Sequence, residues 1–256
     1  MKVKDSISIV TGGASGLGEA TTRHLVAGGG KVAIFDLNEE RGLALVKELG
    51  EENVFYLQTN VTDAEQVEKN VAAVVQRFGS INSLVNCAGI ATPGKVISQK
   101  GPMDLSRFEQ IIQVNLIGTF NVLRVAAHAM QQNPSNEEGE RGVIINTASV
   151  AAFEGQIGQA AYSASKAGVV GMTLPIAREF ARDGIRVMAI APGLVETPLF
   201  AGLPEDAKES LARTVPFPNR LGKPSEYAML VESILTNPLL NGEVIRLDGA
   251  IRMQPK

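Results

Sequence analysis

Tyr162 and Lys166 stand four residues apart in the run Tyr162-Ser163-Ala164-Ser165-Lys166, a spacing that puts both on one face of a helix. A phenol with a pKa of about 10 is a poor base, but a neighbouring ammonium favours its phenolate. A tyrosine so placed can take the proton of an alcohol or return one to a ketone. Ser149, thirteen residues earlier, carries a hydroxyl that can hold a substrate oxygen as charge develops on it. The plain alternatives are a half-buried tyrosine beside a solvated lysine, and a turn serine.

A second group has the types needed to hold a dinucleotide. An apolar run leads into Thr11-Gly12-Gly13-Ala14-Ser15-Gly16-Leu17-Gly18 and then into a helical pattern. Glycines let the backbone approach a pyrophosphate, and a helix N-terminus offers free N–H groups to its charge. The same glycines also suit an ordinary strand-to-helix turn. Asp36, eighteen residues after Gly18, ends the next apolar run, where an acid can bind both ribose hydroxyls and repel a 2′-phosphate. Its plain role would be to cap the next helix, with Asn38 as a competing cap. Ser15 and Leu37, at the places where a basic residue would pair with a 2′-phosphate, are uncharged. The expected cofactor is therefore NAD rather than NADP, and Lys166 gains a second possible task on the nicotinamide ribose.

These groups need strands and helices to position them. Short apolar runs alternate with longer helical patterns: Ser6 to Gly12, Lys31 to Asp36, NVFYLQTN, INSLVNCAG, GVIINTAS, IRVMAIAP and EVIRLDG read as strands. Single long helices are predicted over Asp104 to Gln131 and Ala160 to Asp183. Apolar runs without two-residue alternation suit strands buried on both faces. Helices between them imply right-handed crossovers. The fold class is α/β, a single-domain doubly wound Rossmann fold over 1–256, with about seven parallel strands and helices on both faces.

Composition narrows the function classes. The chain has 256 residues, 45% of them hydrophobic and 20% charged, and its net charge of −3 gives no basic excess for a nucleic-acid backbone. One cysteine, Cys87, excludes an internal disulfide and a multi-thiolate metal site, and two histidines are too few for a His-rich cluster, so no metal is expected. No run reaches the length of a membrane span. The regular pattern begins at about Asp5 and leaves no stretch that reads as a targeting peptide; the expectation is a cytoplasmic protein.

Taken together, the motifs resemble those of the short-chain dehydrogenase/reductases over nearly the whole chain. They are Thr11-Gly12-x-x-x-Gly16-x-Gly18, Asn86-Cys87-Ala88-Gly89, Asn115 in VNLIGT, Ser149, Tyr162-x-x-x-Lys166, and Pro192-Gly193 with Thr197. The resemblance implies a catalytic tetrad of Asn115, Ser149, Tyr162 and Lys166, with Asn115 kinking its helix. It implies that Asn86, Cys87, Ala88 and Gly89 run beside the adenine ribose. Pro192, Gly193, Val195 and Thr197 would meet the nicotinamide end. The family usually has an acid before Val61, against the adenine; Asn60 stands there instead, an amide that can donate and accept. Cys87 reads as a small buried filler.

Within the family, stretches such as GQIGQAAYSASKAG, VPFPNRLGKPSEYA and NGEVIRLDGAIRMQP are similar to members that interconvert 3-hydroxyacyl-CoA and 3-oxoacyl-CoA, some of which take steroids. That implies a small-molecule acyl-CoA substrate, steroids also being possible. The insertion 90–104 would lie near the substrate cleft, with Lys95 and Lys100 as partners for CoA phosphates or as solvated loop lysines. Gln156 joins Ser149 and Tyr162 as a substrate contact. The segment 197–224 would form a lid, its lining drawn from Leu199, Phe200, Leu203, Phe217 and Leu221. Two alternatives stay open: a 3-oxoacyl-carrier-protein reductase, which would prefer NADPH, and a non-catalytic dinucleotide sensor, which would be expected to lose Tyr162 or Lys166. The family also implies a homotetramer. The small residues Ala160, Ala161, Ala164, Ala167, Gly168 and Gly171 would permit close helix packing.

Overall fold

The structure is a computed structural model that describes residues 1–198 and 204–255. The elements follow in the order β1 (Ile7–Thr11), α1 (Gly16–Ala27), β2 (Lys31–Asp36), α2 (Glu39–Leu49), β3 (Val54–Gln58), α3 (Ala64–Phe78) and β4 (Ser83–Asn86). After them come β5 (Ile97–Ser98), β6 (Gly101–Pro102), α4 (Leu105–Ile112), α5 (Thr119–Gln131), β7 (Gly142–Thr147), α6 (Ala160–Phe180), β8 (Ile185–Pro192), α7 (Glu205–Ala212), α8 (Pro224–Thr236) and β9 (Val244–Leu247). Seven strands form one parallel sheet in the order β3-β2-β1-β4-β7-β8-β9.

Both faces of the sheet are apolar, which is why its strands show no polar alternation in the sequence. Successive residues feed opposite cores. Ile9, Phe35, Leu84, Ile144 and Val187 meet α3, α5 and α6 through Val71, Val74, Leu123, Met130 and Ile176. Val10, Ile34, Val85, Ile145 and Met188 meet α1, α2 and α8 through Leu25, Leu45, Tyr227, Val231 and Leu235. Each buried aliphatic side chain contributes about 1.5–3 kcal/mol, so the sheet is held from both sides.

The helix expected from Asp104 to Gln131 differs from the prediction. Asp104 caps it, accepting the Ser106 N–H at 3.1 Å, but a π-helical turn over Gln113–Gly118 separates α4 from α5. Residue-type periodicity does not resolve one extra residue in one turn. Likewise the helix expected to Asp183 ends at Phe180 and closes in a 3-10 turn, Ala181–Asp183. The insertion forms the small antiparallel β5-β6 hairpin, and the Gly94 N–H donates to the Gly158 carbonyl at 2.8 Å, tying it to the approach to α6.

The strand order reverses between β1 and β4, whose neighbours diverge to either side. Ligands bind outside the carboxyl ends of strands at such a point. The Gly-rich turn, Asp36, the Cys87–Gly89 loop, Ser149 and Pro192-Gly193 all follow or end strands at that edge.

Candidate active site

Two cavities meet at Tyr162. One is a cleft of about 490 Å³ lined by Gly12, Ser15, Gly16, Leu17, Gly18, Asp36, Leu37, Asn60, Val61, Cys87, Ala88, Gly89, Lys166 and Thr197, among others. The other, about 280 Å³ and largely apolar, is lined by Ser149, Pro192, Gly193, Val195, Thr197 and their neighbours. Leu17, Ala91, Thr147, Tyr162 and Thr197 line both.

The cleft is built by close backbone approach. A Cβ on Gly18 would stand 2.2 Å from the Gly12 carbonyl oxygen, and Gly16 has φ +52°. Only glycine allows α1 to begin this near β1. Ser15 caps α1 through its backbone without a side-chain bond, so its hydroxyl is free toward the cleft. The Thr11 hydroxyl accepts the Cys87 and Ala88 N–H groups, both at 3.1 Å, joining the first turn to the loop after β4. Asp36 does not cap α2; Asn38 does, accepting the Arg41 N–H at 3.0 Å. The Asp36 carboxylate instead accepts the N–H groups of Ala14 and Asn38, each at 3.0 Å. Asn60 turns its amide oxygen on the Thr62 N–H and hydroxyl, at 3.1 and 2.9 Å, leaving its NH₂ as the free group.

At the junction the Lys166 ammonium is buried and donates to the Thr147 carbonyl at 2.7 Å, while lying 5.8 Å from the centre of the Tyr162 ring. Burial pushes its pKa down to about 8. Burial also raises the Tyr162 phenol above its ordinary value, against the opposing Ser149 hydroxyl beside it. Tyr162 is thus a neutral phenol here. The Ser149 hydroxyl accepts the Ala151 N–H at 3.1 Å and caps a short 3-10 turn, which fixes its direction.

Five of the predicted residues line neither cavity. Asn115 lines neither cavity; it is fully buried in the π turn. Its amide accepts the Ile90 N–H at 2.8 Å and donates to the Ile90 carbonyl and the Ser165 hydroxyl, at 2.9 and 3.1 Å. It braces the cleft loop against α6. Asn86 is also buried, its NH₂ donating to the Asn146 amide oxygen at 2.9 Å; it ties β4 to β7 rather than facing the cleft. Gln156 donates to the Gln254 carbonyl at 3.0 Å and lines neither cavity, whereas Gln159 lines the apolar one. Phe217 is 82% exposed, and Leu221 packs with Leu194, Val215 and Ile251, so neither lines the apolar cavity. Leu199, Phe200 and Leu203 lie outside the described residues.

Ala91, Thr92 and Pro93 of the insertion line the apolar cavity, whereas the sequence did not single out Gln159, Leu194 and Met253 there, or Ile90, Gln110 and Val114 in the cleft. Neighbourhood to quoted motifs could have found Ile90 and Leu194; nothing local marks Met253. Lys100 is exposed in the hairpin turn and Lys95 is exposed just ahead of β5. On α6, Ala164, Ala167 and Gly171 face outward, while a Cβ on Gly168 would meet the Leu116 side chain at 2.7 Å. Gly168 therefore serves packing within the chain. Among the described residues, no cluster of three or more His, Cys, Asp or Glu could hold a metal ion, and no helix is long and apolar enough to cross a membrane.

The family model for short chain dehydrogenases matches residues 6–208. The chain belongs to the short-chain dehydrogenase family. It is 56% identical over 255 residues to the human 3-hydroxyacyl-CoA dehydrogenase type-2, covering 99% of this chain and 97% of that protein. It is 52% identical to the Drosophila melanogaster protein of the same name, over 99% of this chain and all of the relative. The crystal structure of 3-hydroxyacyl-CoA dehydrogenase type-2 from Mycobacterium avium superposes with a TM-score of 0.95 at 43% identity, covering 99% and 98% of the two chains. This chain is accordingly an oxidoreductase of CH–OH groups that uses a nicotinamide dinucleotide. The Gly12–Gly18 approach, the Ser15 hydroxyl without a capping bond and the acid at the end of β2 fit such a group.

Proposed function

We propose that this chain interconverts 3-hydroxyacyl-CoA and 3-oxoacyl-CoA, using NAD in preference to NADP. The observation that carries the reading is Tyr162 at the meeting of an elongated cleft lined by the Gly-rich turn, Asp36 and Asn60 with an apolar cavity that holds the Ser149 hydroxyl. The names of the relatives support the substrate class.

In this reading the dinucleotide, when bound, accepts or supplies the hydride. Gly12 to Gly18 and the α1 N-terminus hold its pyrophosphate. Asp36 holds the adenine ribose and excludes a 2′-phosphate by charge. Asn60 and Val61 flank the adenine, and Cys87, Ala88 and Gly89 the sugar. Pro192, Gly193, Val195 and Thr197 border the nicotinamide end. Ser149 donates to the substrate oxygen, and Tyr162 gives that oxygen its proton in reduction or takes it in oxidation. Lys166 keeps a positive charge beside the phenol and reaches the nicotinamide ribose. Asn115 and Asn86 act from behind as braces.

The exposed Lys95 and Lys100 serve the CoA phosphates. The outward Ala164, Ala167 and Gly171 support close packing of α6 between copies in a homotetramer, and the protein works in the cytoplasm. The test is oxidation of 3-hydroxybutyryl-CoA with NAD, followed by nicotinamide absorbance. Production of NADH together with acetoacetyl-CoA is expected; oxidation of the carrier-protein ester alone, with NADP, would favour the acyl-carrier-protein reductase.

A further inference from the structure

The apolar cavity has one wall that comes from far along the chain. Met253 lines it, from the segment that follows β9. The other apolar walls are short, or rooted in the sheet and the turns that leave it: Ala148 and Ala151 beside β7, Leu194 and Val195 beyond β8. Met253 alone among them is long, unbranched and flexible, the side chain best able to fill or vacate an irregular gap.

Its backbone is bracketed on both sides. The Gln156 amide donates to the Gln254 carbonyl and the Ile157 N–H to the Pro255 carbonyl, both at 3.0 Å. On the other side the Arg246 guanidinium donates to the Ile251 carbonyl at 3.1 Å. Arg246 is itself gripped by both Glu154 oxygens at 2.8 Å and by Asp248 at 2.7 Å. The loop 154–157 lies between Ser149 and Tyr162 in sequence, so the turn joining two reacting groups also anchors the wall. The Met253 side chain packs with Leu194, Val215, Leu221 and Ile251.

We propose that Met253, held by Gln156 and by the Glu154–Arg246 pair, gauges the length of the substrate acyl chain. The proposal rests on the 3-oxoacyl-CoA reading above. A short chain fits the cavity with Met253 in place. A longer one must displace a side chain whose backbone cannot retreat, and so loses rate in proportion to the apolar contact it fails to make. A pocket of this kind discriminates by methylene count.

The experiment measures kcat/KM for acetoacetyl-CoA, 3-oxohexanoyl-CoA and 3-oxooctanoyl-CoA with NADH. In Met253→Ala the ratio of the six-carbon to the four-carbon ester is expected to rise about four- to fifteenfold, the factor that burying one or two further methylenes confers. Met253→Leu, similar in volume, should leave it within about twofold. Gln156→Ala, which frees one side of the bracket, should move it in the same direction by less. An unchanged ratio in a Met253→Ala protein with wild-type thermal midpoint and KM for NADH overturns the proposal. An equal loss for all three esters does so too, and assigns Met253 to packing. A wild-type protein that turns over none of them overturns the functional reading, and the proposal with it.

Discussion

The Asp36 carboxylate accepts the Ala14 backbone N–H at 3.0 Å, across 22 residues of sequence. The acid at the end of β2 therefore shapes the Gly-rich turn as well as facing the cleft. Asp36→Ala should lose two things together. Discrimination between NADH and NADPH should fall by about tenfold or more, because the charge that repels a 2′-phosphate is gone. Stability should fall by about 1 kcal/mol, because the Ala14 and Asn38 N–H groups lose their acceptor. Initial rates with both cofactors and a urea melt measure the two; unchanged cofactor preference would remove Asp36 from recognition.

Lys166 is buried with its pKa down from 10.5 to about 8. The folded chain thus binds fewer protons than the unfolded one between those values. Burial of the charge costs stability below about pH 8, and the cost fades as pH rises toward 10.5. Lys166→Met should stabilise the protein at pH 7, by up to about 3 kcal/mol less the lost bond to Thr147. The gain should shrink above pH 8, and turnover should collapse. Denaturant melts at pH 7 and pH 10 check this; a variant less stable than wild type at pH 7 would contradict it.

Tyr162 is a neutral phenol raised by burial, ready to donate a proton. Tyr162→Phe should lower kcat by about 10²–10⁴-fold with little change in the Kd of NADH. In the wild type, ketone reduction should fall above about pH 8 as Lys166 loses its charge, and Lys166→Arg should remove that limb. A pH profile flat to pH 10 would separate Lys166 from the proton step.

Lys100 stands exposed in the β5-β6 turn and Lys95 exposed just before β5. Exposed contacts of this kind are worth at most about 1 kcal/mol each and fade with salt. Replacing both by Ala should raise KM for acetoacetyl-CoA several-fold at low salt, leave kcat similar, and spare a neutral ketone substrate. Equal losses for charged and neutral substrates would mean a folding defect instead.

The sheet was legible because each strand is a short apolar run between helical patterns; Lys31–Asp36 and Ile185–Pro192 match the structure residue for residue. The residues from Gly12 to Gly18, with Asp36 and Ser149, were legible because strand ends deliver them to one edge, and Tyr162 and Lys166 because their four-residue spacing stacks them on one face of α6. The β5-β6 strands have two residues each, too few for any period to register. Asn115 sits in the π turn that breaks its helix, as the kink implied by the resemblance requires, but a motif does not say which way an amide points, so the inward bonds of Asn86 and Asn115 were not legible. Gln156 and Gln159 differ by one turn of backbone whose path is set by contacts with Gln254 and Pro255, far along the chain. Met253 was invisible for the same reason: its role depends entirely on long-range packing.

Initial rates of acetoacetyl-CoA reduction with NADH and with NADPH read the substrate and cofactor assignments together. Rapid NADH oxidation with 3-hydroxybutyryl-CoA as product is expected, with kcat/KM at least about tenfold lower with NADPH, where an acid meets the 2′-phosphate. No turnover of the CoA ester, or a preference for NADPH, would contradict them.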